Sequence, residues 1–192
     1  MALRFGTLGV ISLHSDKARE TSTVQAGPIS VLNDTIPTGV TTGREYMVLS
    51  KILRVESTDA PEFIDVTDTV KYFVSGSGVK QGQVSIYSIH TTFSVMINEN
   101  EPLLLKDMEH FLERSAPKDA YYGHNDFELR TVSMRPNECP NGHSHCQHMI
   151  LGSSEIVPII DGNLLLGEFQ RIFLVELDEP KLRQVALQVM GL

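Results

Sequence analysis

The chain has 192 residues, of which 41% are hydrophobic and 21% are charged, and its formal net charge is -8. This length allows one well-buried core, so we expect a single domain. The acidic balance argues against binding of nucleic acid or acidic membranes, because both are bound mainly through clustered Lys and Arg. No basic N-terminal segment precedes a long apolar run, and no run of about 18 apolar residues occurs. We therefore predict a cytoplasmic protein.

The first part of the chain differs in composition from the rest. Residues 1–44 are rich in Ser, Thr and Gly and show weak periodicity, and "NDTIPTGVTTG" (33–43) has the composition of turns. We predict an N-terminal extension over 1–44, whose role the sequence leaves open, and a folded domain over 45–192.

Clear periodicity begins at Tyr46. "YMVLSKILRV" has the length and composition of a buried strand. Apolar residues after it recur at helical spacing until a Ser-Gly run, which predicts a helix with Thr67 as its N-cap. "QVSIYSIHTTFSVMIN" (83–98) alternates as a strand does, with a possible bend near Thr91. If this strand is continuous, His90 and Asn98 lie on the same face.

The second half is predicted to contain two helices separated by a long loop. Pro102 suits the first turn of a helix, and residues 119–142 have no sustained period. "HSHCQHMILG" predicts a short helix that ends at Gly152. Strands with turns at Asp161-Gly162 and Glu179-Pro180 follow. Runs of strands without strict strand-helix alternation favour an α+β fold with a mainly antiparallel sheet.

Histidines and cysteines are concentrated before and within the third helix. Cys139, His143, His145, Cys146 and His148 suggest a zinc knuckle, but structural zinc sites usually join two ligand pairs across a longer linker. A second possibility is a catalytic metal site built from His90, His124 and His145, three imidazoles from three distant segments. Each of these histidines could instead be an ordinary surface or hydrogen-bonded residue.

Two polar segments are further candidates. In "NENE" (98–101), Glu99 could act as a general base, or the segment could be an exposed turn that places acidic residues at a helix N-terminus. The "GSS" at 152–154 could bind a phosphate oxygen through N–H groups and hydroxyls, or it could be a plain helix C-cap.

Three ordered segments resemble a known family. "HTTFSVMINENE", "NGHSHCQHMILGSSEIVPIIDG" and "LLLGEFQRIFLVELDEP" are similar, in order and spacing, to the motifs of the YjbQ family, also called UPF0047. The likeness covers about residues 45–192. It implies an α+β fold, a homotrimer, and three histidines near a subunit boundary that form a metal or anion site.

The resemblance also assigns residues. It implies that His90, His124 and His145 hold a divalent metal, zinc or magnesium, or an anion, while His143 and His148 are bystanders. Glu99 and His145 are the implied catalytic residues. The implied substrate contacts are Asn98, Asn141, Ser153, Ser154 and Gln170. Glu168 and Phe169 stand where the family usually has Thr and Trp, which leaves the substrate open.

The activity implied by the resemblance is thiamine phosphate synthesis. In this reaction a hydroxymethylpyrimidine diphosphate is joined to a thiazole phosphate, and diphosphate leaves. Two alternatives remain open: a metal-dependent hydrolase of a small phosphorylated substrate, and a non-catalytic trimeric module that binds a metal or an anion.

Overall fold

The computed structural model describes residues 34–37 and 46–192. The helices in this part of the chain are α1 (Thr67–Ser77), α2 (Pro102–Ser115), α3 (Gly142–Leu151) and a short 3-10 helix at Gly123–Asn125. The strands are β1 (Asp34–Pro37), β2 (Met47–Glu56), β3 (Glu62–Asp65), β4 (Gln81–Ser88), β5 (Phe93–Glu99), β6 (Ser154–Ile160), β7 (Asn163–Leu164), β8 (Gln170–Glu176) and β9 (Leu182–Gly191).

The strands form two antiparallel sheets. The larger sheet has the order β1-β2-β9-β4-β6-β7, and the smaller sheet has the order β3-β8-β5. β9 pairs with β2 over its whole length and with β4 on its other side, so it lies near the centre of the larger sheet. Its residues alternate between buried and partly buried, because one face of the sheet contacts the core.

The core lies in two layers on either side of the smaller sheet. Ile172 and Leu174 of β8 pack against the larger sheet, whereas Phe173 and Val175 belong to a second apolar cluster with residues of α2. Both faces of β8 are therefore covered, which explains its unbroken run of buried residues. The α+β class, the single domain and the mainly antiparallel sheets predicted from the sequence are confirmed.

Individual elements differ from the expectations in three places. The strand predicted over 83–98 is two strands, because β4 belongs to the larger sheet and β5 to the smaller one. The break between them falls at the possible bend near Thr91, so the condition under which His90 and Asn98 would share one strand face is not met. Asp34–Pro37, within the segment predicted as turns, pairs with β2 as an edge strand. The short strand β3 was not predicted.

The predicted helices are confirmed within one or two residues. α1 starts at Thr67, with Val66 rather than Thr67 at the N-cap, and ends at Ser77, followed by the C-cap Gly78, whose φ of 78° favours glycine. Among the helices of residues 46–192, none has both the length and the apolar character needed to cross a bilayer. Apart from Asp34–Pro37, residues 1–45 lie outside the described part of the chain, and so does most of the predicted extension.

Candidate functional site

The long loop is fixed to the first turn of α3. The backbone N–H of Gly142 donates a hydrogen bond to Oδ1 of Asn125, 2.8 Å away. Tyr122 packs directly over Gly142, where a Cβ would lie 2.5 Å from the Tyr122 Cβ. Only glycine allows this approach, so Gly142 brings the 3-10 helix of the loop against α3.

This packing places two predicted site histidines in contact. The ring centroids of His124 and His145 are 4.6 Å apart in an edge-to-face arrangement. Nε2 of His124 is buried and has no hydrogen-bond partner among the described residues. Oε1 of Glu138 lies 3.8 Å from it, which is too long for a hydrogen bond. A buried nitrogen without a hydrogen-bond partner is costly, so this atom is a candidate position for a bound group.

Arg130 holds the loop around this pair. Its guanidinium donates hydrogen bonds to the Glu138 carboxylate at 2.7 Å and to the carbonyl oxygens of His124 and Ser133. The hydrogen bond from Arg130 is the main reason why the pKa of Glu138 lies below its usual value. The contact with the carbonyl oxygen of His124 links the Arg130-Glu138 pair to the site.

α3 carries a further histidine towards the same side. His148 is three residues after His145, so the two share one helix face, and they interact electrostatically. The His148 ring hydrogen-bonds to the backbone of His90, and its Nε2 lies 3.3 Å from Oγ of Ser153. We call His124, His145, His148 and His90, in this spatial order, the histidine row.

The end of the row at His90 is already partly engaged. Nε2 of His90 accepts a hydrogen bond from the backbone N–H of Gln184 at 2.9 Å. This nitrogen is therefore the acceptor of a neutral imidazole and is not free to bind a ligand. The structure brings His124 and His145 together directly, while His90 reaches them only through His148.

Burial favours the neutral form of three histidines of the row. It is the largest cause lowering the pKa of His90, His145 and His148 below the usual value of 6.5. The neighbouring Arg183 lowers the pKa of His90 further, and His124 that of His145. Neutral imidazoles are thus favoured near pH 7, and these can act as metal ligands or as single hydrogen-bond donors.

The residues fit a metal only in part. The unpartnered Nε2 of His124 beside His145 provides two imidazole nitrogens of the kind that zinc and similar ions prefer. However, within residues 34–37 and 46–192, no three His, Cys, Asp or Glu side chains are arranged to hold an ion. The described residues therefore provide two neighbouring imidazoles without a third protein ligand, and the same limit applies there to the zinc knuckle considered above.

A buried polar group supports the start of α3. Asn141 donates a hydrogen bond from Nδ2 to Asp178 at 3.2 Å, and the buried Oδ1 of Asn141 has no partner among the described residues. Asp178 also accepts a hydrogen bond from Nζ of Lys181 at 2.6 Å. Of the predicted substrate contacts, Asn141 lies beside the histidine row and has an acceptor to offer.

Other predicted site residues lie elsewhere. Asn98 and Glu99 end β5, and Glu99 is paired in register with Gln170. Glu99 comes six positions after Phe93, which corresponds to about 20 Å along a strand. Since the histidine row lies near the start of β5, a single chain does not bring Glu99 to His145.

The end of β5 is exposed and its polar side chains are locally engaged. Asn98 accepts a hydrogen bond from the backbone N–H of Glu99, and the Gln170 side chain accepts one from the backbone of Gly167. Glu168 and Phe169 are exposed beside them. Ser153 joins the row through His148, whereas Ser154 is exposed at the start of β6.

Sequence reasoning did not select several residues of this region. The spacing of His148 from His145 would have placed both on one helix face. Arg130 and Glu138 lie in a loop without periodicity, and Asp178 follows a strand of the smaller sheet. The contact between Arg130 and Glu138 is made within this loop, whereas that between Asp178 and Asn141 joins residues 37 positions apart, and neither follows from a periodic pattern.

The fold and the site define an α+β protein with two antiparallel sheets and a histidine row between a short helix and a long loop. Residues 51–192 match the family model described as UPF0047 protein YjbQ-like. The chain therefore belongs to the UPF0047 family of YjbQ-like proteins.

Relatives and solved structures agree with this membership. A UPF0047 protein of Methanothermobacter thermautotrophicus is 37% identical over 144 residues, which are 75% of this chain and 93% of the relative. The UPF0047 protein YugU of Bacillus subtilis is 30% identical, over 73% and 98% of the two chains. A crystal structure of a YbjQ-like protein of unknown function from Sulfolobus solfataricus is 28% identical and has a TM-score of 0.70. The match includes 77% of this chain and 100% of that chain.

Proposed function

We propose that this protein is a small-molecule transferase with thiamine phosphate synthase activity, and that the histidine row binds the diphosphate of the pyrimidine substrate, directly or through a divalent metal. The observation that carries the proposal is the contact between His145 and the buried, unpartnered Nε2 of His124. The similarity of the motifs to the YjbQ family supplies the reaction. The remaining predicted substrate contacts are Asn98, Asn141, Ser153, Ser154 and Gln170.

The reaction needs stabilisation of a departing anion. The bond between the pyrimidine methylene carbon and a diphosphate oxygen breaks, a bond from that carbon to the thiazole nitrogen forms, and diphosphate leaves with the electron pair. Preorganised donors at the departing oxygens lower the barrier. The imidazole of His145 would donate to these oxygens, while His148, Ser153 and Arg130, which are already hydrogen-bonded to protein groups, would hold the surrounding backbone and side chains in place.

A divalent metal could take part in stabilising the departing diphosphate, and two of its ligands would be imidazoles of the histidine row. His124 and His145 would hold the ion, which would supply positive charge to the diphosphate when bound. The third ligand would come from outside the described residues of one chain, from the substrate or from a partner subunit. Imidazole ligands favour zinc over magnesium.

The homotrimer implied by the family resemblance belongs to the same proposal. Within one chain, Glu99 lies about 20 Å along β5 from the start of that strand, near which the histidine row lies. A catalytic role of Glu99 at His145 therefore requires that the two residues come from different subunits.

Activity and metal content test the proposal together. We would measure thiamine phosphate and released diphosphate for the parent, His124→Ala and His145→Ala, and the metal content of each by elemental analysis. We expect each variant to lose at least about 100-fold in activity, as is typical when transition-state stabilisation is removed. The control is Met149→Ala, on the exposed side of α3, which should remain active.

Each combination of results has a meaning. If the variants lose both metal and activity, the metal assists binding of the diphosphate. If the parent contains no metal and the variants still lose activity, the histidines bind the diphosphate directly. Full activity of a folded His145→Ala variant contradicts the proposal. Stoichiometric metal or diphosphate binding with no turnover would instead indicate a binding module.

The second candidate is a metal-dependent hydrolase of a small phosphorylated substrate. The observation in its favour is the Glu138 carboxylate, 3.8 Å from Nε2 of His124, where a carboxylate could accept a proton from a water molecule. Phosphate release from p-nitrophenyl phosphate that depends on Glu138, without thiamine phosphate formation, would favour this function.

A further inference from the structure

A buried ion pair joins the end of β8 to the start of β9. The side chain of Glu176 is fully buried and that of Arg183 is 7% exposed. Nε of Arg183 donates a hydrogen bond to Oε2 of Glu176 at 2.6 Å, and Nη2 donates another to Oε1 of the same carboxylate. This two-point contact fixes the guanidinium both in position and in direction.

The same carboxylate holds the turn between β8 and β9. Oε1 of Glu176 accepts hydrogen bonds from the backbone N–H groups of Leu177 and Asp178, both at 3.1 Å. Oε2 accepts a hydrogen bond from the hydroxyl of Ser57 at 2.9 Å. The oxygen of Ser57 in turn accepts one from the backbone N–H of Lys181, also at 2.9 Å. The carboxylate therefore holds the first part of the turn directly and the last part through Ser57.

The turn carries two attachments of α3. The Ser144 hydroxyl donates a hydrogen bond to the carbonyl oxygen of Leu177 at 2.6 Å, and Asn141 donates one from Nδ2 to Asp178 at 3.2 Å. His145 follows Ser144 directly in the first turn of α3. The position of His145 therefore depends on the turn that the ion pair holds.

The start of β9 contacts the other end of the histidine row. Nη2 of Arg183 donates a hydrogen bond to Oγ1 of Thr92 at 3.3 Å, and the guanidinium carbon lies 5.6 Å from the centre of the Phe93 ring. The backbone N–H of the next residue, Gln184, donates to Nε2 of His90. The segment from His90 to Phe93 is thus held to β9 at three points.

Stability alone does not explain two charges at this place. Taking both groups out of water costs free energy that their attraction offsets only in part, and apolar side chains of similar volume are often at least as stable. What the ion pair adds is a fixed direction for the groups around it. We propose that Glu176 and Arg183 are positioning residues of the histidine row, which set the position of His145 relative to His90. The expected effect on activity rests on the function proposed above, whereas the effect on geometry does not.

A double variant separates positioning from stability. Glu176→Met combined with Arg183→Met removes both charges and keeps much of the side-chain volume, so the urea midpoint should stay near that of the parent or rise. Nitrogen NMR of the histidine rings reports the geometry. In the parent we expect one neutral tautomer of His90, with the hydrogen on Nδ1, because Nε2 accepts a hydrogen bond. In the double variant this single tautomer should be lost and the ring signals of His145 should shift.

Lys51→Met is the matched control. Lys51 is 9% exposed on the neighbouring strand β2, and its ammonium lies 6.0 Å from the centre of the Phe73 ring. Loss of this second buried cation should leave the ring signals of His90 and His145 as they are in the parent.

Arg183→Lys keeps the positive charge beside Glu176 but removes the two-point contact, so it serves as a second variant that does not leave a buried charge unpaired. It should shift the same ring signals to a smaller extent. In a folded double variant, kcat for thiamine phosphate formation should fall about tenfold or more, because small displacements of reacting groups are costly.

The outcomes separate this inference from the proposed function. Ring signals that match the parent in the folded double variant, or in Arg183→Lys, overturn the positioning role, and so do equal shifts in Lys51→Met. Shifted ring signals together with a parent that forms no thiamine phosphate support the positioning role and contradict only the proposed function.

Discussion

Asp65 connects three segments of the chain through one carboxylate. Its two oxygens accept hydrogen bonds from the backbone N–H and the hydroxyl of Thr67, from Nδ2 of Asn100, and from Nε of Arg171 at 2.7 Å. The Thr67 hydroxyl oxygen in turn accepts a hydrogen bond from the backbone of Ile172. This carboxylate therefore fixes the start of α1 to β8 and to the segment before α2.

These contacts predict a loss of stability in acid. Burial alone would raise the pKa of Asp65, but the hydrogen bonds from Arg171 and Thr67 outweigh it and hold the pKa below 3.8. A lowered folded-state pKa contributes stability above the unfolded-state pKa, and this contribution is lost as the pH falls through the folded-state pKa. We expect Asp65→Asn to lower the free energy of unfolding by about 1–3 kcal/mol at pH 7. The variant should also lose less stability than the parent when the pH falls below 4, and urea unfolding at both pH values measures the two effects.

The control for this carboxylate is Asp68→Asn. Asp68 is largely exposed and lies 3.2 Å from the same guanidinium. Exposed ion pairs contribute little, so this variant should keep nearly the stability of the parent and the same loss in acid. Equal stability changes in the two variants would contradict the role assigned to Asp65.

At the scale of elements, local periodicity predicted the helices well and sheet membership poorly. Val70, Phe73 and Val74 recur at helical spacing and are buried, so α1 could be recognised from the sequence. The alternation from Gln83 to Asn98 continues across the point where the chain changes sheets. Alternation reports which side chains share a face, whereas long-range pairing decides which sheet a strand joins.

The same difference between local and long-range signals applies to the candidate site. The motif order selected His124 and His145, which the structure places in contact. It did not reveal that Nε2 of His90 is engaged by the backbone of Gln184, because this contact joins residues 94 positions apart. Local spacing can therefore nominate site residues, while their availability depends on the fold.

We expect Gly82→Ala and Gly76→Ala to change the stability of the fold in opposite directions. Gly82 and Gly191 face each other where β4 pairs with β9, and a Cβ on Gly82 would lie 2.1 Å from the carbonyl oxygen of Met190. We expect Gly82→Ala to destabilise the fold by about 1–3 kcal/mol, as overpacking does, because two backbones must move apart. Gly76→Ala in α1, where a Cβ meets nothing within 4 Å, should stabilise it by about 0.5 kcal/mol.

Urea unfolding of the two variants beside the parent measures both changes. The midpoints should move in opposite directions with similar slopes. If Gly82→Ala unfolds at the same urea concentration as the parent, the close approach of β4 and β9 at this pair is not required.

At the scale of the whole molecule, the predicted site residues fall into two groups at opposite ends of β5. The histidine row lies near the start of the strand, and Asn98, Glu99 and Gln170 lie near its end. In a ring of three identical subunits, each interface joins two different surfaces. The proposed homotrimer could therefore bring one group of one chain to the other group of its neighbour.

Mixing of two inactive variants tests this arrangement. Light scattering should first give a mass about three times the 21.4 kDa of one chain. His145→Ala and Glu99→Gln should each be inactive alone, and after unfolding and refolding together at equal amounts they should recover about a quarter of the parent activity, because composite sites then form at random. No recovery in a trimer would show that each site lies within one subunit, and a monomeric mass would exclude the arrangement.

The central position of β9 also affects how the chain can fold during its synthesis. β9 is the last described element to leave the ribosome, yet it lies between β2 and β4 and contributes Val185, Leu187 and Val189 to the core. Until it emerges, β2 and β4 present unpaired edges and one wall of the core is missing. We conclude that the larger sheet cannot close before β9 has been synthesised, and that until then the open edges of β2 and β4 favour aggregation of the nascent protein.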